Sequence, residues 1–374
     1  MKQLSTALFL AGLWVVGAPA APYTPKDDNA VLERLPMRRS DPVAAELRQL
    51  RGAALARRYF ELAMAQGDPR YVGYAEAALR NAERDPAAEV LFVRGLLKQY
   101  RHDFNGALAD LAGALKDAPE HIGARAWRAA IFMVRAEYAA AREECRALEP
   151  LASDLLATGC RAAVDGATGK ARAAYDGLKA ELDARPDAAP EIRLWTLTRL
   201  AEFAGRLGEP ELAERHYREA LALGIRDDFL LAAYADFLLE QARPKEVGTL
   251  LTKWGQSDNL LLRVALAAKA QNLPEAQKHA QALGERFAAA GLRGERLHLA
   301  EEARYWLDLR GDPKAALAAA SENWKSQREP RDAVVLLEAA LAARERTAAA
   351  PALRWLEESG FEDARLRRLA AQLK

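Results

Sequence analysis

A unit of about 34 residues recurs in register along most of this chain. Each copy places small, aromatic, apolar and proline residues where a helical hairpin needs its crossings, core and turns. The matching residues are Gly95, Phe104, Ala107, Leu111 and Pro119, then Ala129, Tyr138, Ala141 and Cys145, then Ala201, Gly208, Pro210, Ala213, Tyr217 and Ala220, and finally Ala235, Ala242, Pro244, Val247 and Leu251. Because each unit can bury its apolar face only against its neighbours, the period predicts an array of stacked hairpins.

Short turn signals separate the helical stretches. At Gly67, Gly208, Ala242 and Gly311 a small residue stands two positions before a proline. The small residue can end one helix, and a proline at the first position of the next helix has no N–H group that would go unpaired. No stretch shows the alternation of apolar and polar residues that is typical of a half-buried strand. The sequence therefore predicts an all-α protein.

These residues together resemble the tetratricopeptide repeat, a helix-turn-helix unit with small residues at its eighth and twentieth positions. Gly95, Ala129, Ala162, Ala201 and Ala235 match the eighth position, and Ala107, Ala141, Ala174, Ala213 and Ala316 match the twentieth. The resemblance is strongest over residues 88–254, and the interval between Pro274 and Pro313 is longer than one repeat, which predicts longer helices or a fuller loop there. The resemblance implies a right-handed superhelix of roughly eight or nine hairpins over residues 43–374.

In this family, fixed positions on the first helix of each hairpin line a concave groove. Carried onto this sequence, the resemblance implies a groove formed by Phe92, Gln99, Tyr100, Met133, Trp195, Thr198, Glu202, Arg206, Phe229, Asp236, Glu240 and Tyr305. Aromatic anchors beside carboxylates suit a protein or peptide partner with a basic or aromatic segment. The groove lacks the Lys and Asn residues with which the family clamps a free C-terminal carboxylate, so we do not expect that ligand.

Residues 1–20 have the pattern of a secretory signal peptide. Lys2 gives a positive start, residues 4–16 are mostly apolar, and a small-residue cleavage signal follows, Ala18-Pro19-Ala20. An uncleaved membrane anchor is the alternative, but the apolar run is shorter than the roughly 20 residues that a spanning helix requires. No cysteine lies near the cleavage signal to carry a lipid. We expect cleavage after Ala20 and a periplasmic protein.

Residues 21–42 contain several prolines and are expected to form an extended lead-in segment. Cleavage removes Lys2 from the 54 basic residues, which leaves them equal in number to the 53 acidic residues. Interleaved charges without a net excess argue against a nucleic-acid or anionic-membrane surface. No later apolar run has spanning length. We therefore expect no membrane span after cleavage, no nucleic-acid partner, and a monomer or weak dimer.

Candidate chemical groups are few. Cys145 and Cys160 are the only cysteines, and a pair in an exported chain is a candidate disulfide, with two buried reduced thiols as the alternative. The histidines lack the spacing of a metal site, and no nucleotide-binding or nucleophile motif occurs; they are His102, His121, His216, His279 and His298. We expect no catalytic residues, no metal and no cofactor.

The sequence thus favours an exported, non-catalytic scaffold or assembly factor that binds a partner segment in the concave groove. Two alternatives stay open. The groove aromatics would also suit a scaffold for exported polysaccharide, because aromatic faces stack on sugars. An accessory arm of a cell-wall enzyme would require an appended catalytic domain, and helical repeats run almost to Lys374.

Overall fold

The computed structural model describes residues 42–80, 85–252, 257–295 and 298–373, together with residues 25, 27, 30 and 82. The chain divides into two compact units, Met1–Arg48 and Gln49–Lys374. The predicted signal peptide, its cleavage site and most of the predicted lead-in segment lie outside the described residues. Helix α1, Pro42–Gln49, belongs to the first unit apart from its last residue.

The second unit is built from helices, and no strand occurs in the ranges that the structure describes. The helices are α2 (Gly52–Gln66), α3 (Arg70–Leu79), α4 (Ala87–Tyr100), α5 (Phe104–Asp117), α6 (Ile122–Val134), α7 (Tyr138–Leu148), α8 (Asp154–Ala167), α9 (Ala171–Ala184), α10 (Pro190–Arg206), α11 (Pro210–Ala222), α12 (Asp228–Glu240), α13 (Pro244–Leu251), α14 (Asp258–Ala270), α15 (Glu275–Leu292), α16 (Leu299–Arg304), α17 (Pro313–Asn323), α18 (Pro330–Ala343), α19 (Ala350–Ser359) and α20 (Ala364–Leu373). A π-helical turn, Tyr305–Arg310, continues α16, and a 3₁₀ turn, Arg346–Ala349, precedes α19.

Successive helices from α2 to α17 pair into hairpins, which confirms the predicted all-α array of tetratricopeptide-like units. The turn within each hairpin holds one residue in the left-handed region. The predicted turn residues Gly67, Gly208, Ala242 and Gly311 have φ values of 60°, 79°, 56° and 68°. A proline then occupies the first turn of α11, α13 and α17. Non-glycine residues accept the same conformation elsewhere, at His102, Ala136 and Asn272.

Small residues lie where the helices of a hairpin cross, as the repeat register predicts. Ala107, Ala141, Ala213 and Ala235 are fully buried. A Cβ atom added to Gly95 would lie 2.8 Å from Cγ of Leu111 on the facing helix. Close helix contact therefore depends on these short side chains. The interval between Pro274 and Pro313 is longer than one repeat because α15 runs for 18 residues.

The C-terminal helices pack back onto helices from the middle of the array. The indole Nε1 of Trp355 on α19 donates to the hydroxyl of Tyr138 on α7 at 2.9 Å. The backbone N–H of Arg328, just before α18, donates to the carbonyl oxygen of Val134 at 2.7 Å. Trp324, Trp355 and buried residues of α18 form one apolar cluster, against which Met133 of α6 packs. The C-terminal part of the chain therefore covers residues at the end of α6 and the start of α7.

The first hairpin of the second unit also meets a distant one. Arg226, before α12, donates through Nη2 to the carbonyl oxygen of Gln66 at 3.0 Å. A Cβ atom on Gly67 would lie 2.8 Å from both Oδ1 of Asp228 and Oγ of Ser257. Glycine at this position thus satisfies both the positive φ and the close approach of α2 to α12 and α14.

None of the helices in the described ranges combines the length and the apolar character that crossing a membrane would require.

Candidate functional site

Three of the twelve predicted groove residues lie in the core. Phe92 is 2% exposed, Thr198 1% and Tyr305 5%. The Phe92 ring packs on His121 of the next hairpin with 4.4 Å between centroids, and Tyr305 packs edge-on against Phe287 at 5.5 Å. The hydroxyl of Thr198 donates to the carbonyl oxygen of Leu194 in the same helix. All three side chains are buried within the chain and are not accessible to a partner.

Three further predicted residues are partly buried in different surroundings. Met133 packs against the cluster that contains Trp324. Burial, and then the nearby carboxylates of Asp258 and Asp68, raise the pKa of Tyr100 to about 12. Gln99 is half-buried, and its Oε1 accepts no hydrogen bond from any residue that the structure describes. These residues are only partly accessible.

Arg206 binds the chain's own C-terminal segment. Its guanidinium lies 3.9 Å from the centroid of the Phe361 ring. Nη2 donates to the carbonyl oxygen of Gly166 at 2.5 Å, and Nε donates to that of Glu362 at 3.2 Å. Burial lowers the pKa of Arg206 to about 10, although Asp363 and other nearby acids oppose the shift. The predicted groove position is thus occupied by an intramolecular partner.

Asp236 and Glu240 are likewise engaged within the chain. Asp236 pairs with Arg263 at 2.6 Å and with Arg304 at 2.8 Å. Burial acts to raise the pKa of this carboxyl, but the two guanidiniums prevail and hold it well below its usual range. Glu240 pairs with Arg365 on α20. Both carboxylates are therefore already paired within the chain, Asp236 with the buried Arg263 and the partly exposed Arg304, and Glu240 with Arg365 at the surface.

The remaining predicted residues, Trp195, Glu202 and Phe229, stay at the surface and lie beside Arg199. Trp195, Arg199 and Glu202 are spaced on α10 so that they share one helix face. Arg199 pairs with Glu202 at 2.9 Å, and its guanidinium lies 4.6 Å from the centroid of the Phe229 ring on α12. We call these four residues the aromatic-arginine strip.

The two aromatic members of the strip are held differently. Phe229 is 37% exposed and is one of the few large apolar side chains at the described surface. Trp195 is half-buried because its ring lies over Gly159 of α8, where an added Cβ atom would be 2.6 Å from Cη2. The glycine therefore makes room for the indole. Phe229 therefore presents the more accessible ring of the two.

Arg199 was not among the predicted groove residues. It occupies a first-helix position that the tetratricopeptide pattern does not assign to the groove, and its role depends on Phe229 in the next hairpin. Its spacing of four residues from Trp195 was the available sequence signal. Cation–π contact between an exposed arginine and an aromatic ring is worth about 0.5–1 kcal/mol, enough to orient both side chains.

Cys145 and Cys160 are joined in a disulfide that links α7 to α8, with 5.5 Å between their Cα atoms. No group of three or more His, Cys, Asp or Glu residues within the described ranges is arranged to hold a metal ion.

Comparisons with known proteins add little to this geometry. No model of a known protein family matches the chain, and comparison with curated proteins also finds no match. Among solved structures, the crystal structure of the P58(IPK) TPR domain matches over 85% of this chain and 97% of that chain, with 14% identity and a TM-score of 0.24. At that TM-score the match carries no conclusion, and the assignment of a tetratricopeptide-like fold rests on the hairpins and turns described above.

Proposed function

We propose that this chain is a non-catalytic scaffold that binds a segment of a partner protein on the aromatic-arginine strip. The observation that carries the proposal is the exposed Phe229 ring, which lies under the guanidinium of Arg199. Aromatic and arginine residues are enriched at the centres of protein interfaces because they bury large areas with few rotatable bonds. A rigid array of hairpins holds such residues in fixed positions.

The chemistry of the strip defines the partner segment. Trp195 and Phe229 offer apolar contact to an aromatic or aliphatic side chain. Glu202 offers one carboxylate, whose only ion pair in the described part of the chain is with the partly exposed Arg199. A lysine or arginine of the partner can share that carboxylate at the rim of the contact. The segment therefore carries an apolar or aromatic residue close to a basic one.

The proposal includes export. Its support is the signal-peptide pattern of residues 1–20 and the pairing of the only two cysteines, which is typical of oxidising compartments. N-terminal sequencing of the protein from a periplasmic fraction should begin at Ala21. A protein that retains Met1 and stays in the cytoplasm would contradict this part of the proposal and leave the strip untested by that result.

A photo-crosslinking residue at Phe229 tests the binding surface directly. In cells, this variant should crosslink to a protein partner, and mass spectrometry should locate the crosslink in a segment of the stated chemistry. The matched control is Ile122, which is also 37% exposed but lies on α6. Crosslinking from position 122 alone, or equal yields of one adduct from both positions, would place the partner elsewhere.

A polysaccharide scaffold is the second candidate, favoured by the same half-exposed aromatic rings. However, the guanidinium of Arg199 already stacks on Phe229, so a sugar would compete for that ring. Binding to a glycan array by the mature protein, lost in Phe229→Ala and retained in Ile122→Ala, would support this candidate over a protein partner.

A further inference from the structure

A second surface lies on α3 and α4, away from the aromatic-arginine strip on α10 and α12, and is bordered mainly by basic residues. An open cleft of about 420 Å³ is formed by α3 and α4. Its apolar floor consists of Leu79, Val90 and Leu97, of which Leu97 is 5% exposed and the other two are half-buried. The volume is within the range of sites that hold a ligand or a few side chains. Apolar side chains of a partner could therefore be buried in this cleft.

Four basic residues border the apolar floor: Arg80, Arg94, Lys98 and Arg101. Two of them share one carboxylate, because Arg94 lies 2.6 Å and Lys98 2.7 Å from Asp110.

The other two cations differ in their pairing. Arg101 pairs with Glu76 at 2.5 Å and remains 59% exposed. Arg80 is exposed and forms no ion pair with any residue that the structure describes. Among the described residues, the cleft thus has four positive charges against the two carboxylates that pair with them, although the whole chain is almost neutral. This local excess of positive charge favours an acidic ligand.

We propose that the cleft between α3 and α4 binds an acidic amphipathic peptide segment of a partner protein. Its apolar side chains occupy the floor formed by Leu79, Val90 and Leu97, and its carboxylates meet the cations at the rim. An apolar floor between cations suits such a peptide better than nucleic acid, whose phosphates make no use of it. This site is independent of the aromatic-arginine strip, which selects a basic segment.

The test uses a fluorescein-labelled helical peptide of leucine, alanine and glutamate, and a second peptide with lysine in place of each glutamate. Anisotropy titrations at low salt should show binding of the glutamate peptide and little binding of the lysine peptide. Arg80→Glu should weaken binding of the glutamate peptide by about tenfold, because it reverses a charge at the rim of the cleft. Arg80 forms no ion pair with a described residue, so the substitution breaks none. Arg354→Glu is the control, since Arg354 is exposed on α19 and likewise unpaired among the described residues.

Val90→Asp provides a second variant. It places a carboxylate in the apolar floor, and its position in the first turns of α4 keeps it compatible with the helix. Binding of the glutamate peptide should be abolished while the melting temperature stays close to that of the parent. The proposal is overturned if both peptides bind equally, if Arg80→Glu and Arg354→Glu have equal effects, or if an oligothymidylate competes for the cleft more strongly than the glutamate peptide.

Discussion

The contrast between two helical glycines tests how tightly the array is packed. Gly166 lies in α8 beneath the ring of Phe203, which is 4% exposed. A Cβ atom added there would be 2.6 Å from Cζ of that ring and closer still to Cε1. Gly177 lies in the exposed face of α9, with nothing within 4 Å of an added Cβ atom. Gly166→Ala and Gly177→Ala therefore make the same chemical change in opposite environments.

The expected free energies follow from these contacts. Alanine is about 1 kcal/mol better than glycine inside a helix, so Gly177→Ala should stabilise the protein by up to that amount. In Gly166→Ala the same gain is opposed by overpacking, which costs about 1–3 kcal/mol. Backbone movement away from Phe203 would also disturb the hydrogen bond from Arg206 to the Gly166 carbonyl, and bonds to charged groups contribute about 1.5–3 kcal/mol. We expect Gly166→Ala to be less stable than Gly177→Ala by about 3 kcal/mol.

Urea titration followed by far-UV circular dichroism measures this difference. The parent and both variants should be compared by their transition midpoints as well as by extrapolated free energies, because long arrays can depart from two-state unfolding. A Gly166→Ala variant as stable as Gly177→Ala would refute the packing of Phe203 over α8 and, with it, the register in which α8 and α10 meet.

Three further predictions concern other contacts. Arg206→Ala should increase hydrogen exchange in α20 and in the turn that contains Glu362, because the variant removes the guanidinium that holds this segment; unchanged exchange would contradict that role. Burial lowers the pKa of His216 to about 4. The folded state is therefore stabilised by the neutral imidazole above pH 6.5, and up to about 3 kcal/mol of the free energy of unfolding is lost as the pH falls to 4. His216→Phe should reduce this acid sensitivity, as measured by urea titrations at pH 7 and pH 4.5. Reducing the bridge between Cys145 and Cys160 should lower the free energy of unfolding by about 3 kcal/mol, and a melting curve indifferent to reductant would show that the bridge contributes nothing.

The sequence was most informative where structure is decided locally. Turn residues such as Gly208 and Ala242 could be predicted because a small residue before a proline specifies a helix end within a few positions. Crossing residues such as Ala213 could be predicted because every repeat needs a short side chain at the same place. Both signals recur along the array, so these residues could be recognised from the sequence without knowledge of distant contacts.

The candidate site was harder to predict because distant parts of the chain bind several of the predicted groove residues. Arg206 is engaged by Phe361 and Glu362, and Glu240 by Arg365. No repeat register indicates that residues so far along the chain return to α10 and α12. Phe229 remained accessible because none of these contacts covers its ring.

Trp195 and Phe229 differ in how far a substitution would disturb packing as well as binding. Trp195 lies against Gly159, so truncating it would also remove an inter-helix contact. Phe229 is more exposed, and its principal described contact is with Arg199. Phe229→Ala is therefore the cleaner test of the strip, and Ile122→Ala is its control for equal surface exposure.

The most direct test of the proposed scaffold is calorimetric titration of the crosslinked partner segment, made as a peptide, into the parent protein and these two variants. If Phe229 is an anchor, Phe229→Ala should weaken binding by at least about 2 kcal/mol, while its melting temperature and the affinity of Ile122→Ala stay close to those of the parent. Undiminished affinity in a folded Phe229→Ala protein would contradict the claim that the aromatic-arginine strip is the binding surface.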